Sequence, residues 1–309
     1  MRTAFLSMPR RCLVVLSLAF TAVPAQGSLL FDNGQVNDFS GTEPTGADVQ
    51  DSATGDPTTL NVLSGATLGS THVFDHSILT VRSGATFVNT ISGQDLSTVS
   101  ILGGDIVEVD LLNQSVGTIS DGVFTCGGRC VGLFDSADVS ISGGSFGNPT
   151  GISILAQEES TATLSDGTFQ GDVRAADDSA IEILGGSLSG ITATERAIIT
   201  LFGSDFIASE GGSPVLTGFG EIMDQFNGTI TGTLSDGTPL NISALNGVGG
   251  SKIVLAAQSP PAGYSATANA EASTHGNESL TASGSLNAMA LLFFPGVAVI
   301  AFKFLSKRI

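Results

Sequence analysis

One line of sequence recurs eight times between residues 56 and 206, and it limits the possible folds more than any other feature of the chain. The copies are Val62-Leu-Ser-Gly-Ala-Thr-Leu68, Val81-Arg-Ser-Gly-Ala-Thr-Phe87, Ile101-Leu-Gly-Gly-Asp-Ile106, Ile119-Ser-Asp-Gly-Val-Phe124, Ile141-Ser-Gly-Gly-Ser-Phe146, Leu164-Ser-Asp-Gly-Thr-Phe169, Ile183-Leu-Gly-Gly-Ser-Leu188 and Leu201-Phe-Gly-Ser-Asp-Phe206. The anchor glycine stands at 65, 84, 104, 122, 144, 167 and 186, with Ser204 in the eighth place, so the steps are 19, 20, 18, 22, 23, 19 and 18 residues. A period near 20 with some slack is the signature of a solenoid.

The residues before the anchor give the kind of solenoid. Three before it, every copy is aliphatic, from Val62 to Leu201. Five before it stand Leu60, Leu79, Val99, Gly117, Val139, Ala162, Ile181 and Ile199. Between them lies a polar column: Asn61, Thr80, Ser100, Thr118, Ser140, Thr163, Glu182 and Thr200. Apolar, polar, apolar is the period of a strand with one face inward, and β-branched residues favour it. No stretch has enough helical periodicity to supply a helix per repeat. The chain is therefore expected to be all-β, a parallel β-helix of about eight coils in which each coil buries its apolar face against its neighbours. The absence of Trp and the single Tyr suit a narrow core of Ile, Val, Leu and Phe.

A second column lies nine residues before the anchor: Asp56, Asp75, Asp95, Asn113, Asp135, Glu158, Asp177 and Glu195. Serine often follows two places on, at Ser77, Ser97, Ser115, Ser160 and Ser179. Such residues favour corners, because Asp and Asn accept hydrogen bonds from backbone two residues ahead. The other reading is a Ca²⁺-binding edge built from the seven acids of the column. Like charges stacked at strand spacing repel, and a hard cation that prefers carboxylate oxygens would relieve them. The calcium-binding nonapeptide Gly-Gly-x-Gly-x-Asp is absent.

The longer steps place extra residues near Thr125 to Val131 and Gly147 to Ile154. Insertions in solenoids loop out on one face, often the binding face. The first contains Cys126-Gly-Gly-Arg-Cys130, which in an exported chain reads as a small-loop disulfide.

The ends differ in charge from the middle. All 29 acids lie between Asp32 and Glu278, and residues 26–287 hold only Arg82, Arg129, Arg174, Arg196 and Lys252, a net of 5 − 29 = −24. A surface this acidic repels nucleic acid and anionic lipid. Residues 1–25 read as a signal peptide: Arg2, Arg10 and Arg11, the apolar run Leu13 to Val23, then Val23-Pro-Ala25. Residues 26–55 read as an N-terminal cap or lead-in, 56–206 as the repeats and 207–258 as a C-terminal β cap. Strands are expected at Thr229 to Leu234, Leu240 to Leu245 and Lys252 to Ala256. Residues 259–287 read as a polar linker, 288–305 as a C-terminal transmembrane helix of marginal length, and 306–309 as a basic cytoplasmic tail.

Signal peptide, glycine-rich repeats, spacer, short apolar helix and terminal Lys303, Lys307 and Arg308 together resemble bacterial exported surface proteins with a PEP-CTERM-type tail. Gly232-Thr-Leu-Ser-Asp-Gly-Thr-Pro-Leu-Asn241 is similar to the close of the repeat region in such proteins. The Pro-Glu-Pro signature itself is missing; Ser283-Gly-Ser-Leu-Asn287 stands in its place. The resemblance implies delivery to the envelope or extracellular matrix, with an exosortase-like enzyme as a processing partner and the membrane or a surface polysaccharide as further partners.

Parallel β-helices include polysaccharide lyases and hydrolases, so a carbohydrate-processing or carbohydrate-binding protein is the alternative. Glycoside hydrolysis needs a carboxylate pair at a defined separation, and no pair is distinguished here. Asp121 and Asp166 occupy the corner before the anchor glycine in coils four and six, where turn roles suffice. His72, His76 and His275 form no cluster, and no Ser-His-Asp set or phosphate loop is present. No catalytic residues are assigned. The reading is a non-enzymatic, membrane-anchored acidic rod with a structural, adhesive or matrix role at the cell surface.

Overall fold

The computed structural model describes residues 27–257 apart from 148, 223, 224 and 248. The expected signal peptide, linker, membrane anchor and basic tail lie outside the described residues. Among the described residues no helix is long and apolar enough to cross a membrane. They form strands stacked as a solenoid of about nine turns.

Each full coil has three strand segments and so three ladders. The first ladder carries the apolar-polar-apolar run. In it Leu60, Leu79, Val99, Gly117, Val139, Ala162, Ile181, Ile199 and Ile253 stack in one parallel register. Gly117 breaks the apolar column without leaving a gap. A side chain there would stand 2.5 Å from Leu111 Cδ1 and 3.0 Å from Val139 Cγ2, so its neighbours already fill the place.

The second ladder follows the glycine corner and points one large side chain inward per coil. Leu68, Phe87, Ile106, Phe124, Phe146, Phe169 and Phe206 are all wholly or nearly wholly buried. Three of these rings stack along the axis, with centroids 4.5 Å apart for Phe124 and Phe146 and 4.9 Å apart for Phe146 and Phe169. That spacing is the coil rise itself, so identical residues in successive coils reach offset stacking without adjustment.

The third ladder includes Thr71–Val73, Thr90–Gly93, Glu108–Leu111, Arg129–Leu133, Ile152–Ala156 and the end of Thr161–Ala175. Its inward pairs, such as Val109 and Leu111 or Val131 and Leu133, close the core. A four-residue turn then returns the chain to the first ladder. Ser77, Ser97, Ser115, Ser160 and Ser179 end these turns and point inward, all fully or almost fully buried. Serine suits the place because it is small: Ser160 Oγ donates within its turn to Gln157 O at 2.7 Å and Ser179 Oγ to Ala176 O at 2.7 Å, while Ser97 and Ser115 Oγ are buried without a partner.

The stretch read as an N-terminal cap or lead-in pairs with the ladders. Val36–Phe39 pairs with Thr59–Val62, Thr42–Glu43 with Thr67–Leu68, and Ala47–Val49 with Thr71–Val73, all parallel. Its repeat is hidden because the glycine corner is shorter. Phe39 to Thr42 spans three positions, whereas the paired Val62 to Thr67 spans five.

After the last regular corner the pattern turns antiparallel. Ile198–Glu210 overruns its corner and pairs antiparallel with Ser213–Thr217 and Asn227–Leu234. Asn227–Leu234 forms a hairpin with Pro239–Asn246, which also extends the third ladder by pairing parallel with Ser187–Ala193. Lys252–Ala257 extends the first ladder, parallel to Ile198–Glu210. Asp236, in the hairpin turn, ties this region back to the coils. Its carboxylate accepts from the Gly186 N–H at 2.9 Å and from the Thr238 hydroxyl at 2.8 Å. Burial alone would raise its pKa, but the N–H donors of Thr238 and Gly186 outweigh burial and hold the carboxyl below its ordinary value.

Candidate functional site

Two sets of sequence-marked residues have a definite place in the coil: the acid column and the insertions. The acid column is a column of corners. Asp75, Asp95, Asn113, Asp135, Glu158, Asp177 and Glu195 all have left-handed backbone, with φ between 58° and 62°. Each stands second in a four-residue turn closed by a backbone hydrogen bond, such as Ser77 N–H to Phe74 O at 3.1 Å and Ser179 N–H to Ala176 O at 3.2 Å. Asp and Asn adopt this conformation more readily than other non-glycine residues.

The carboxylates have donors within the ladder. Asn113 N–H donates to Asp135 Oδ2 at 3.1 Å, Asp135 N–H to Glu158, and Glu158 N–H to Asp177 Oδ2 at 3.2 Å. Asp135, Glu158 and Asp177 thus each reach back along the axis to the backbone of the preceding corner. At the last two acids the neighbouring Asp177 carboxylate, by hydrogen bonding and by its charge, raises the Glu195 carboxyl above its ordinary value. Among the described residues, no group of three or more His, Cys, Asp and Glu is placed to hold a metal ion.

Asp56 does not belong to the column. Its place is taken by Asp51, which accepts from the His76 N–H at 3.2 Å and the Ser77 hydroxyl at 3.1 Å and pairs with His76 Nδ1 at 3.0 Å. Counting nine back from Gly65 misses this because the corner is lengthened. Val49 to Thr59 spans ten positions, whereas the paired Val73 to Ile78 spans five. Asp56 instead closes the extra loop, accepting from the Thr54 hydroxyl at 2.6 Å.

Asp121 and Asp166 each accept from the N–H of the glycine that follows, at 2.8 and 2.7 Å. These are turn contacts within single corners.

The insertions fall at one corner, between the second and third ladders, in adjacent coils. From Phe124 to Val131 the chain takes seven positions and from Phe146 to Ile154 eight, while Phe169 to Val173 takes four. A bond between Cys126 and Cys130 closes the first insertion, with Cα atoms 5.0 Å apart. Cys130 is fully buried.

Beside the two loops lies a groove of about 430 Å³ lined by Arg129, Thr150, Ile152, Leu155 and Arg174, among others. Register explains the grouping. Arg129 pairs with Ile152 and Ile152 with Asp172, while Gly132 pairs with Leu155 and Leu155 with Arg174. The arginines therefore sit two coils apart, about 10 Å by strand spacing, and the coil between them supplies an aliphatic floor.

The two arginines are held differently. Arg129 donates through Nε and Nη2 to the two oxygens of Asp110 at 3.0 and 2.8 Å, lies 3.2 Å from Glu108 and sits 5.0 Å over the Phe134 ring. This two-point grip fixes the plane of the guanidinium. Its pKa is raised first by the Asp110 hydrogen bond. Glu108 is raised by burial and by the Asp110 charge, against the pull of Arg129. Arg174 has one contact to Asp172, at 3.4 Å, and its Nε is buried with no hydrogen-bond partner.

Gly132 is a residue that sequence reasoning passed over. A Cβ there would lie 2.6 Å from both Arg129 Nε and Asp110 Oδ1. Glycine at that point lets the ion pair lie flat across the strand. The insertion was legible from the repeat spacing, but Arg174 is 45 positions from Arg129 and carries no local signal; only the register brings the two together.

The chain matches no protein-family model, no curated protein and no solved structure.

Proposed function

We propose that this chain is an exported, membrane-anchored acidic solenoid with a structural or adhesive role at the cell surface or in the extracellular matrix. The observation that carries the reading is the pairing of unbroken parallel ladders with outward rows of short polar side chains. On the first ladder the outward positions run Asn61, Thr80, Ser100, Thr118, Ser140 and Thr163, and within the row Thr118 donates to Ser100 at 3.2 Å. Such rows give a stiff, uniform surface, while 29 acids against 11 bases keep it soluble and self-repelling. The membrane is reached through residues 288–305, with an exosortase-like enzyme as the processing partner.

The test is surface shaving. The full chain is expressed with its own termini in a Gram-negative host, and intact cells are treated with protease. The chain is expected in the envelope fraction and open to cleavage from outside, with a cytoplasmic control protein untouched. Recovery of an intact chain in the cytoplasm would overturn the reading.

A further inference from the structure

We infer that the N-terminal end of the ladders is the contact of a homodimer, in which two copies meet end to end about a twofold axis. Three strands make up that end: Leu29–Phe31, Val36–Phe39 and Thr42–Glu43. Among the described residues each pairs on one side only, with Ala47–Val49, Thr59–Val62 and Thr67–Leu68. The inner groups of these strands are used. Thr59 N–H donates to Gln35 O and Leu63 N–H to Phe39 O, both at 2.9 Å, and Leu29 N–H donates to Gly46 O at 3.0 Å. Backbone direction alternates along a strand, so Val36, Asp38 and Leu30 turn their N–H and C=O to the open side, a ready template for a further strand. The core is open there too. Leu29, Phe31 and Phe39 are half-buried, whereas Ala47, Val49, Leu60, Val62 and Leu68 in the next coil are fully buried.

At the other end the chain closes a ladder itself. Lys252–Ala257 has a parallel strand on one side and the antiparallel Gly220–Ile222 on the other. The N-terminal end has too little chain ahead of it for this. The inference here rests on the signal-peptide reading: cleavage after Ala25 leaves Gln26, Gly27 and Ser28 before Leu29, against the 18 to 23 residues of a coil. A second copy supplies three matching edges at once. A twofold axis across the end reverses strand direction, so Val36–Phe39 meets itself antiparallel and Leu29–Phe31 of each copy meets Thr42–Glu43 of the other. One register suits the central pair. With Asn37 opposite Asn37, Val36 of each copy exchanges both backbone bonds with Asp38 of the other. With Asp38 opposite Asp38, like charges would face each other. Asp32, Asp38, Glu43 and Asp48 crowd this end, and residues 26–81 hold no Lys or Arg, so salt should tighten the contact by screening.

The test uses the full chain, expressed with its own termini, purified and sequenced from its N-terminus. In the Asn37-centred register the two Asn37 Cα atoms lie about 4.5 Å apart, within the ~4.4–6.8 Å that a disulfide spans. Asn37→Cys is therefore expected to give a linked dimer on a non-reducing gel, and Val88→Cys, exposed on another coil, to stay monomeric there. Leu30 and Val36 are 56 % and 69 % exposed, so Leu30→Pro combined with Val36→Pro removes open-edge N–H donors and leaves the bonds inside each copy. This variant is expected to keep its strand signal in circular dichroism and to weaken the dimer about a hundredfold or more in sedimentation. A wild-type monomer, an unlinked Asn37→Cys chain, full dimerisation by the proline variant, or a dimer loosened by salt would each overturn the inference. A monomer that begins at Gln26 would do so and leave the surface reading standing; one that retains residues 1–25 would remove the signal-peptide premise as well.

Discussion

Two corners of the repeat take positive φ and fill it with opposite chemistry. At the first, the anchor glycines have positive φ, for example 82° at Gly65, 109° at Gly104 and 93° at Gly186. At the second, seven non-glycine residues from Asp75 to Glu195 stand between 58° and 62°. The difference is in what surrounds them. A Cβ on Gly104 would lie 2.6 Å from Ala85 O and one on Gly186 2.8 Å from Gly167 O. At the acid corner the side chains point to solvent and have room to reach the preceding corner's N–H. The left-handed turn does not by itself require glycine. Close approach of the neighbouring coil requires it at Gly104 and Gly186, while Gly65 stands in open space.

The sharpest break of that comparison is within the glycine column. Gly104→Ala adds both positive-φ strain and a backbone clash, and is expected to cost about 3 kcal/mol or more, read as a fall in Tm of roughly 6–12 °C. Gly65 has nothing within 4 Å of its Cβ position. Gly65→Ala should therefore cost only the conformational term, about 1 kcal/mol. Equal losses in melts of the two full-length variants would mean that close approach is not what selects glycine.

These corners also show why the fold was legible and parts of the site were not. Strand period and anchor spacing report backbone geometry, which each coil repeats, so Val62, Ile101 and Ile183 could be placed inward from the text alone. The expected strands near the C-terminal end are present as Asn227–Leu234, Pro239–Asn246 and Lys252–Ala257, because their alternation is local. Corner length is not periodic, and counting across it displaced Asp56 from Asp51 and hid the coil that contains Phe39. Burial from outside the coil is not periodic either. Glu182 sits in the outward polar column yet is only 6 % exposed, and its Oε1 has no hydrogen-bond partner. Burial and the Asp138 charge push its carboxyl up. The Arg129–Arg174 groove depends on register between residues far apart in sequence, which no local motif announces.

A pH titration sharpens the acid side of the comparison. The Glu195 carboxyl is raised by its hydrogen bond to Asp177 and by the Asp177 charge. The folded state therefore favours the protonated form. Its contribution is present below the ordinary value of 4.5 and is lost as pH rises through the raised folded value. Glu195→Gln keeps a hydrogen bond to Asp177 at every pH. The variant is expected to melt with wild type in acid and above it at neutral pH. A constant difference across pH would mean that Asp177 does not act on the Glu195 carboxyl.

A smaller effect is expected at Glu158. Glutamate is a poor left-handed residue and asparagine a good one, and Asn113 already serves in the same column, donating to Asp95 Oδ1 at 3.0 Å. Glu158→Asn relieves conformational strain but shortens the acceptor of the Asp135 N–H. The two changes should nearly cancel, leaving stability within about 0.5 kcal/mol of wild type in a urea melt.

The smallest expected effect is that of calcium. A cation edge would need several carboxylates free to turn toward one ion. In the column the side chains of Asp135, Glu158 and Asp177 instead each accept a neighbouring backbone N–H, and Asp177 is also tied to Glu195. Binding calcium would exchange those bonds for coordination and gain little. Even a site with Kd near 1 mM would add only about 0.4 kcal/mol at 1 mM Ca²⁺. Melts of the full chain in Ca²⁺ and in EDTA are therefore expected to agree within about 2 °C. A calcium-dependent rise of many degrees would reverse the comparison, because the acid corner would then be a ligand set that also turns the chain.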